Sequence, residues 1–119
     1  QSRGLGDVYK RQVFVNLSAR VGSITDNRLG GWISYRSSKA ALNQIIKTSS
    51  IEINRRNKNA ICVGLHPGTV KTRFTEKFQN TTETISPEES VEMMMKVVEN
   101  LSVDDNGYCF AYDGKVIPA

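Results

Sequence analysis

Two short apolar runs flanking one long amphipathic segment constrain this chain more than any other feature. Val13-Phe14-Val15-Asn16-Leu17 and Ala60-Ile61-Cys62-Val63-Gly64-Leu65 are rich in β-branched residues, the pattern of strands in a parallel sheet covered on both faces. Between them, from about Ser34 to Arg55, Leu42, Ile45, Ile46, Ser49 and Ile53 recur at helical spacing and give one apolar face with a polar remainder. Strand, helix and strand in that order place the chain among α/β proteins. They also fix where chemistry can sit, because ligands in open α/β sheets bind beyond the carboxyl ends of the strands.

Both strands end in residues suited to such a place. The first delivers Ser18, which either orients a reactant or bonds the turn. The second delivers His66-Pro67-Gly68-Thr69-Val70, where proline removes a backbone donor and glycine opens unusual dihedrals, so that the chain turns sharply and presents backbone groups outward. The helix opens with Tyr35-Arg36-Ser37-Ser38-Lys39, and residues four apart share a face one turn apart. A free phenol ionises near pH 10, and a neighbouring cation favours its ionised form, which brings a phenol toward the range of general acid-base catalysis.

The other segments read as supports. Gly22 to Trp32 is a loop, with Asp26-Asn27 and Gly30-Gly31 as turn signals. Trp32 is either a wall of the substrate pocket or a packing residue, and Arg28 and Arg36 either attract an anionic substrate or lie solvated. Ala40 and Ala41 allow close approach to the helix, and Asn59 breaks its exit. Lys71 to Ile85 is polar and threonine-rich, the composition of a substrate loop. Ser86-Pro87-Glu88-Glu89 is a helix start with serine at the N-cap, proline at the first position and glutamate at the third. Val91, Met94, Met95, Val98 and Leu101 form that helix's expected buried face, with Met93 to Met95 as core filler rather than a metal box. A last strand, Tyr108 to Tyr112, turns at Asp113-Gly114 into Lys115-Val116-Ile117.

The runs NLSARVGS, YRSSKAALN and HPGTVKT, in this order and on these elements, resemble the second half of a short-chain dehydrogenase/reductase, and the match runs from about Val13 to Ile117. The resemblance implies the C-terminal half of a doubly wound, Rossmann-like parallel sheet, incomplete in this chain. It implies a reaction in which NAD or NADP exchanges a hydride with a small-molecule carbonyl or alcohol. Tyr35 would pass the proton, Lys39 would assist it and hold the nicotinamide ribose, and a serine, here Ser18, would position the substrate oxygen. Cofactor contacts carry over to Tyr35, Lys39, Pro67, Gly68, Val70 and Thr72, whereas His66 is read as structural. Members of the family pair through the helix at residues 35 to 55, which makes a homo-oligomer an expectation of resemblance alone.

Departures from the family's pattern matter as well. The usual pattern has two serines after the strand with the second orienting substrate, and Ala19 occupies that position, leaving Ser18 and Ser23 as the nearest hydroxyls. A dinucleotide-binding sheet needs two βαβαβ halves, and 119 residues have room for one. Gly4 and Gly6 do not repair this, because no strand precedes them and no helix fits before Val13. RGLGDVYKRQ instead resembles a translated sequencing-adapter remnant, so residues 1 to 12 are set apart from a partial domain at 13 to 119. The chain by itself can then be a non-catalytic fragment or association module.

Composition narrows the partners. Arg3, Lys10 and Arg11 against Asp7 supply half of the formal net charge of +4, and the remaining charges are interspersed, which argues against nucleic acid. The apolar runs are too short to span a membrane. Cys62 and Cys109 show no metal-binding spacing and read as reduced thiols of a cytoplasmic protein, with no metal site.

Overall fold

The computed structural model describes residues 12–68 and 85–119. Strand β1 (Gln12–Leu17) leads through a short 3-10 turn at Arg20–Gly22 to helix α1 (Ile33–Arg56) and strand β2 (Ala60–His66). Helix α2 (Pro87–Glu99) follows, then a 3-10 turn at Val103–Asp105 and strands β3 (Cys109–Ala111) and β4 (Val116–Ile117). These strands form one sheet in the order β1-β2-β3-β4. β1 and β2 are parallel from Gln12↔Ala60 to Leu17↔Leu65, β2 and β3 are parallel from Gly64↔Cys109 to His66↔Ala111, and β4 returns antiparallel. The expected Rossmann-like α/β arrangement is therefore present, with an antiparallel edge after the Asp113-Gly114 turn. Most of the expected substrate loop, and the cofactor contacts expected at Val70 and Thr72, lie outside the described residues.

β2 is the centre of the fold. Ile61, Val63 and Leu65 are 0, 1 and 2% exposed and pack with Phe110 and Leu101, supported by Val13, Met94, Val97 and Val98. Each such side chain contributes about 1.5–3 kcal/mol by leaving water. The alternate residues of β2 face α1, where Gly64 lies against Ile46. β1 does not meet the expectation of cover on both faces: Phe14, Val15 and Leu17 are 45, 39 and 60% exposed. α1 lies over β2 and α2 packs on the cluster of β2 residues with Leu101 and Phe110, while among the described residues the outer edge of β1 carries no pairing strand.

The helices keep their expected extents and turn slightly from their expected faces. In α1, Ile46 and Ser50 are buried while Ile45 is 59% exposed. The inward line includes polar residues that hydrogen bonds satisfy, such as Ser50, whose hydroxyl donates to the Lys47 carbonyl at 2.6 Å. The exit turn is built on Asn57 rather than Asn59: the Asn57 side chain accepts from the Asn59 amide at 2.9 Å, and its carbonyl accepts from Ala60 at 3.0 Å. In α2, Ser86 caps the helix as its sequence predicts, accepting the Glu89 amide at 3.1 Å. Its buried line nevertheless runs through Ser90, Met94, Val97 and Val98, leaving Val91 and Met95 exposed. Ser90 faces inward because its hydroxyl donates to the Pro67 carbonyl at 2.6 Å, tying α2 to the loop that leaves β2.

Candidate active site

Topology gathers the predicted residues on one edge. α1 connects the carboxyl end of β1 to the amino end of β2, so its first turns lie toward the carboxyl edge of the sheet. Ser18 follows β1 there, with its amide bonded to the Leu65 carbonyl at 2.9 Å, and His66-Pro67-Gly68 leaves β2 beside it.

Tyr35 stands in the first turn of α1, 44% exposed, and the Lys39 ammonium lies over its ring, 5.8 Å from the centroid. Four-residue steps advance about 40° around a helix, so the line Tyr35, Lys39, Asn43 winds from solvent toward the sheet. Tyr35 is exposed and Lys39 and Asn43 are half-buried, with fully buried Ile46 one turn further on. Among the described residues no carboxylate pairs with Lys39. Trp32 precedes the helix in a left-handed conformation (φ 55°), its ring 6.0 Å from that of Tyr35 and tilted by 56°. At 70% exposure it is not packed into a core of the described residues. Arg36 does not hold a free guanidinium toward substrate, since it donates to the carbonyls of Gly31 at 2.9 Å and Gly30 at 3.3 Å and so fixes the start of the helix.

The two serines differ in what holds them. Ser18 is 5% exposed, and its hydroxyl donates to Asn43 Oδ1 at 2.5 Å. The same oxygen accepts the Cys109 thiol at 3.4 Å. Ser23, 1% exposed, accepts from the Asp26 amide at 3.0 Å and donates to the Ala119 carbonyl at 3.4 Å, so it holds the loop to the chain's last residue. Asn43 carries no role in the sequence reading. The available signal was an asparagine, a poor helix former, inside a helix and one turn beyond the Tyr35-Lys39 pair.

Pro67 and Gly68 form a tight exit from β2. Gly68 has φ +82°, and a β-carbon there would come within 2.9 Å of the Tyr112 ring. His66 is half-buried, and its Nδ1 has no hydrogen-bond partner among the described residues. Burial pushes its pKa down and the Arg20 cation adds to the shift, both favouring the uncharged ring. Cys62 and Cys109 are free thiols, and burial pushes both up; for Cys109 hydrogen bonds with Gly64 and Ser18 oppose that rise. Among the described residues no three His, Cys, Asp or Glu side chains gather as a metal site, and no helix is long and apolar enough to cross a membrane.

No family model matches the chain. An uncharacterised oxidoreductase of Schizosaccharomyces pombe is 39% identical over 121 residues, covering 91% of this chain and 47% of that protein. An NADPH-bound carbonyl reductase from chicken fatty liver superposes with a TM-score of 0.74 at 39% identity, covering 90% of this chain and 42% of its own. A structure from Burkholderia multivorans described as a short-chain dehydrogenase/reductase with bound NADP gives a TM-score of 0.70 at 26% identity, covering 90% and 44%. The chain thus spans about half the length of the curated relatives it matches. With oxidoreductase relatives across nine-tenths of its length and the same sheet in their structures, the chain belongs to the short-chain dehydrogenase/reductase family.

Proposed function

We propose that the protein carrying this chain is an NAD- or NADP-dependent oxidoreductase that interconverts a small-molecule carbonyl and alcohol, with Tyr35 as the acid-base. The observation that carries the reading is the Tyr35-Lys39 pair on the first turns of α1, at the same sheet edge as Ser18 and Pro67-Gly68. The residues fit a nicotinamide dinucleotide: the ammonium of Lys39 has no carboxylate partner among the described residues, which leaves its donors for ribose hydroxyls. Pro67 and Gly68 supply a turn at the strand end where the nicotinamide would lie, and Val70 and Thr72 are proposed to extend it. When bound, the cofactor supplies or accepts the hydride. Tyr35 gives its hydroxyl proton to the substrate oxygen in reduction and takes it back in oxidation, while Lys39 favours the charge that develops on the phenol. Ser18 orients the substrate oxygen.

Two solved relatives carry NADPH or NADP, which makes that cofactor the first to test. A full-length domain bearing these residues should consume NADPH, or else NADH, only when an aldehyde or ketone is added. Failure with both cofactors over a range of carbonyl compounds overturns the reading. In the same domain Ser18→Ala should lower turnover roughly a hundredfold, the worth of about 3 kcal/mol for one transition-state hydrogen bond. Ser23→Ala, which loosens a loop contact, should cost far less in turnover. A harmless Ser18→Ala beside a crippled Ser23→Ala would transfer the role to Ser23.

A second reading applies to the 119 residues alone, and the 47% coverage of the first relative favours it. By themselves they act as a non-catalytic fragment, at most an association module pairing through α1. A Pro-Gly turn at one strand end without a Gly-rich turn and helix amino terminus for the pyrophosphate should bind a dinucleotide feebly. Calorimetric titration of the purified chain with NADH and NADPH checks this, and micromolar affinity for either would contradict it.

A further inference from the structure

The hydroxyl assigned to substrate is not free-standing: its shortest contact is to a side chain that the proposed chemistry does not use. Asn43 belongs to α1, Ser18 to the end of β1, and the 2.5 Å bond between them fixes the strand end against the helix that carries Tyr35 and Lys39. The cluster is packed from two sides. A β-carbon on Gly22 would lie 2.8 Å from Asn43 Nδ2 and 2.9 Å from the Lys39 carbonyl carbon, so the 3-10 turn after Ser18 closes directly on this stretch of helix. A β-carbon on Gly64 would lie 3.3 Å from Ser18 Cβ and 2.7 Å from Cys109 Sγ, so β2 closes on it from the sheet. The Asn43 oxygen also receives the Cys109 thiol at 3.4 Å, a second and longer contact from β3.

We propose that Asn43 is a positioning residue that holds Ser18 for the substrate oxygen, an inference that rests on the oxidoreductase reading above. A carboxamide suits the task because it carries an acceptor oxygen and two donor hydrogens, so it can accept the Ser18 proton or, turned over, donate to the Ser18 oxygen. Ser18 therefore keeps its anchor whether it meets a carbonyl, which needs a donor, or an alcohol, which can also supply one. An aspartate at the same position, ionised, could only accept and would keep the Ser18 proton for itself. Asn43 also compensates for Ala19: the hydroxyl sits one residue earlier than in the family's usual pattern, and a contact from the helix pins it at the strand end.

The test is a double-mutant cycle in the full-length domain, read as kcat/KM for carbonyl reduction and as cofactor Kd. Asn43→Ala should lower kcat/KM by roughly tenfold to a hundredfold, the scale of a misplaced catalytic group, with cofactor Kd unchanged. In a Ser18→Ala background the same substitution should change kcat/KM by less than about threefold, because the group it positions is gone. Asn43→Asp keeps the shape of the side chain and serves the same cycle if the alanine variant does not fold; it too should lose activity in the wild-type background and nothing further without Ser18. Losses that multiply in either cycle, or a harmless Asn43→Ala, overturn the proposal. Failure of the wild-type domain to reduce any carbonyl compound with either NADPH or NADH would instead overturn the oxidoreductase reading, so the two failures are distinct.

Discussion

Tyr35→Phe should reduce turnover of the full-length enzyme by roughly 10²- to 10⁴-fold, the range that general acid-base catalysis supplies, while leaving cofactor affinity near its original value. The substitution is clean because the surroundings of Tyr35 recognise the ring. Lys39 lies 5.8 Å from the ring centroid and Trp32 6.0 Å away, and a phenylalanine keeps both contacts. What disappears is the proton-bearing oxygen. At 44% exposure the side chain has little packing to lose, so thermal stability should be unaffected. Lys39→Ala provides the contrast: turnover and cofactor affinity should fall together, since the proposed function has one ammonium serve both the phenol and the ribose. Single-turnover reduction with saturating cofactor separates the two effects. Near-normal turnover in Tyr35→Phe would remove Tyr35 from the acid-base role.

Gly64→Val should be the most damaging change to the sheet, costing about 1–3 kcal/mol or more through overpacking. Gly64 lies in the middle of buried β2, and its missing β-carbon would stand 2.7 Å from Cys109 Sγ, 3.0 Å from Ile46 Cδ1 and 3.3 Å from Ser18 Cβ. The Ile46 terminus can swing aside, but Cys109 is a short side chain on the neighbouring strand, and valine adds two further methyl groups. Relief must come from separating β2, β3 and α1. Urea unfolding of the full-length domain measures the loss as a lower midpoint, and Gly64→Ala should fall between valine and wild type. An unchanged midpoint in Gly64→Val would mean that the sheet opens freely here, which would also weaken the case for a rigid Ser18-Asn43 contact.

How far the sequence discloses this arrangement depends on whether local pattern or distant partner decides each feature. β2 is legible because an unbroken apolar run with helices on either side has one good environment. β1 has a similar composition but a different fate: its exposure is set by what lies across Phe14, Val15 and Leu17, and no property of those residues reveals that. The extents of both helices follow from spacing and caps. Their rotations do not, because Asn43, Ser50 and Ser90 turn inward toward hydrogen-bond partners, and hydropathy counts a satisfied serine as polar surface. Within the candidate site, Tyr35 and Lys39 reveal themselves by their spacing. Asn43 bonds Ser18 across 25 positions and Cys109 across 66, separations at which periodicity carries no signal.

Trp32 gives the site an optical handle. It is the single tryptophan of the chain, it is 70% exposed, and its ring stands 6.0 Å from that of Tyr35. Arg36 secures the two glycine carbonyls just before it, so the indole is presented from an anchored backbone rather than a free loop. Its emission therefore samples the water immediately beside Tyr35. On the proposed function, a substrate settling against Tyr35 would displace that water and shift the emission to shorter wavelength, and a reduced nicotinamide nearby would take up the excitation energy. The aromatic neighbour of the proposed catalytic phenol thus doubles as an internal fluorophore, and occupancy of the site can be followed without labelling the protein.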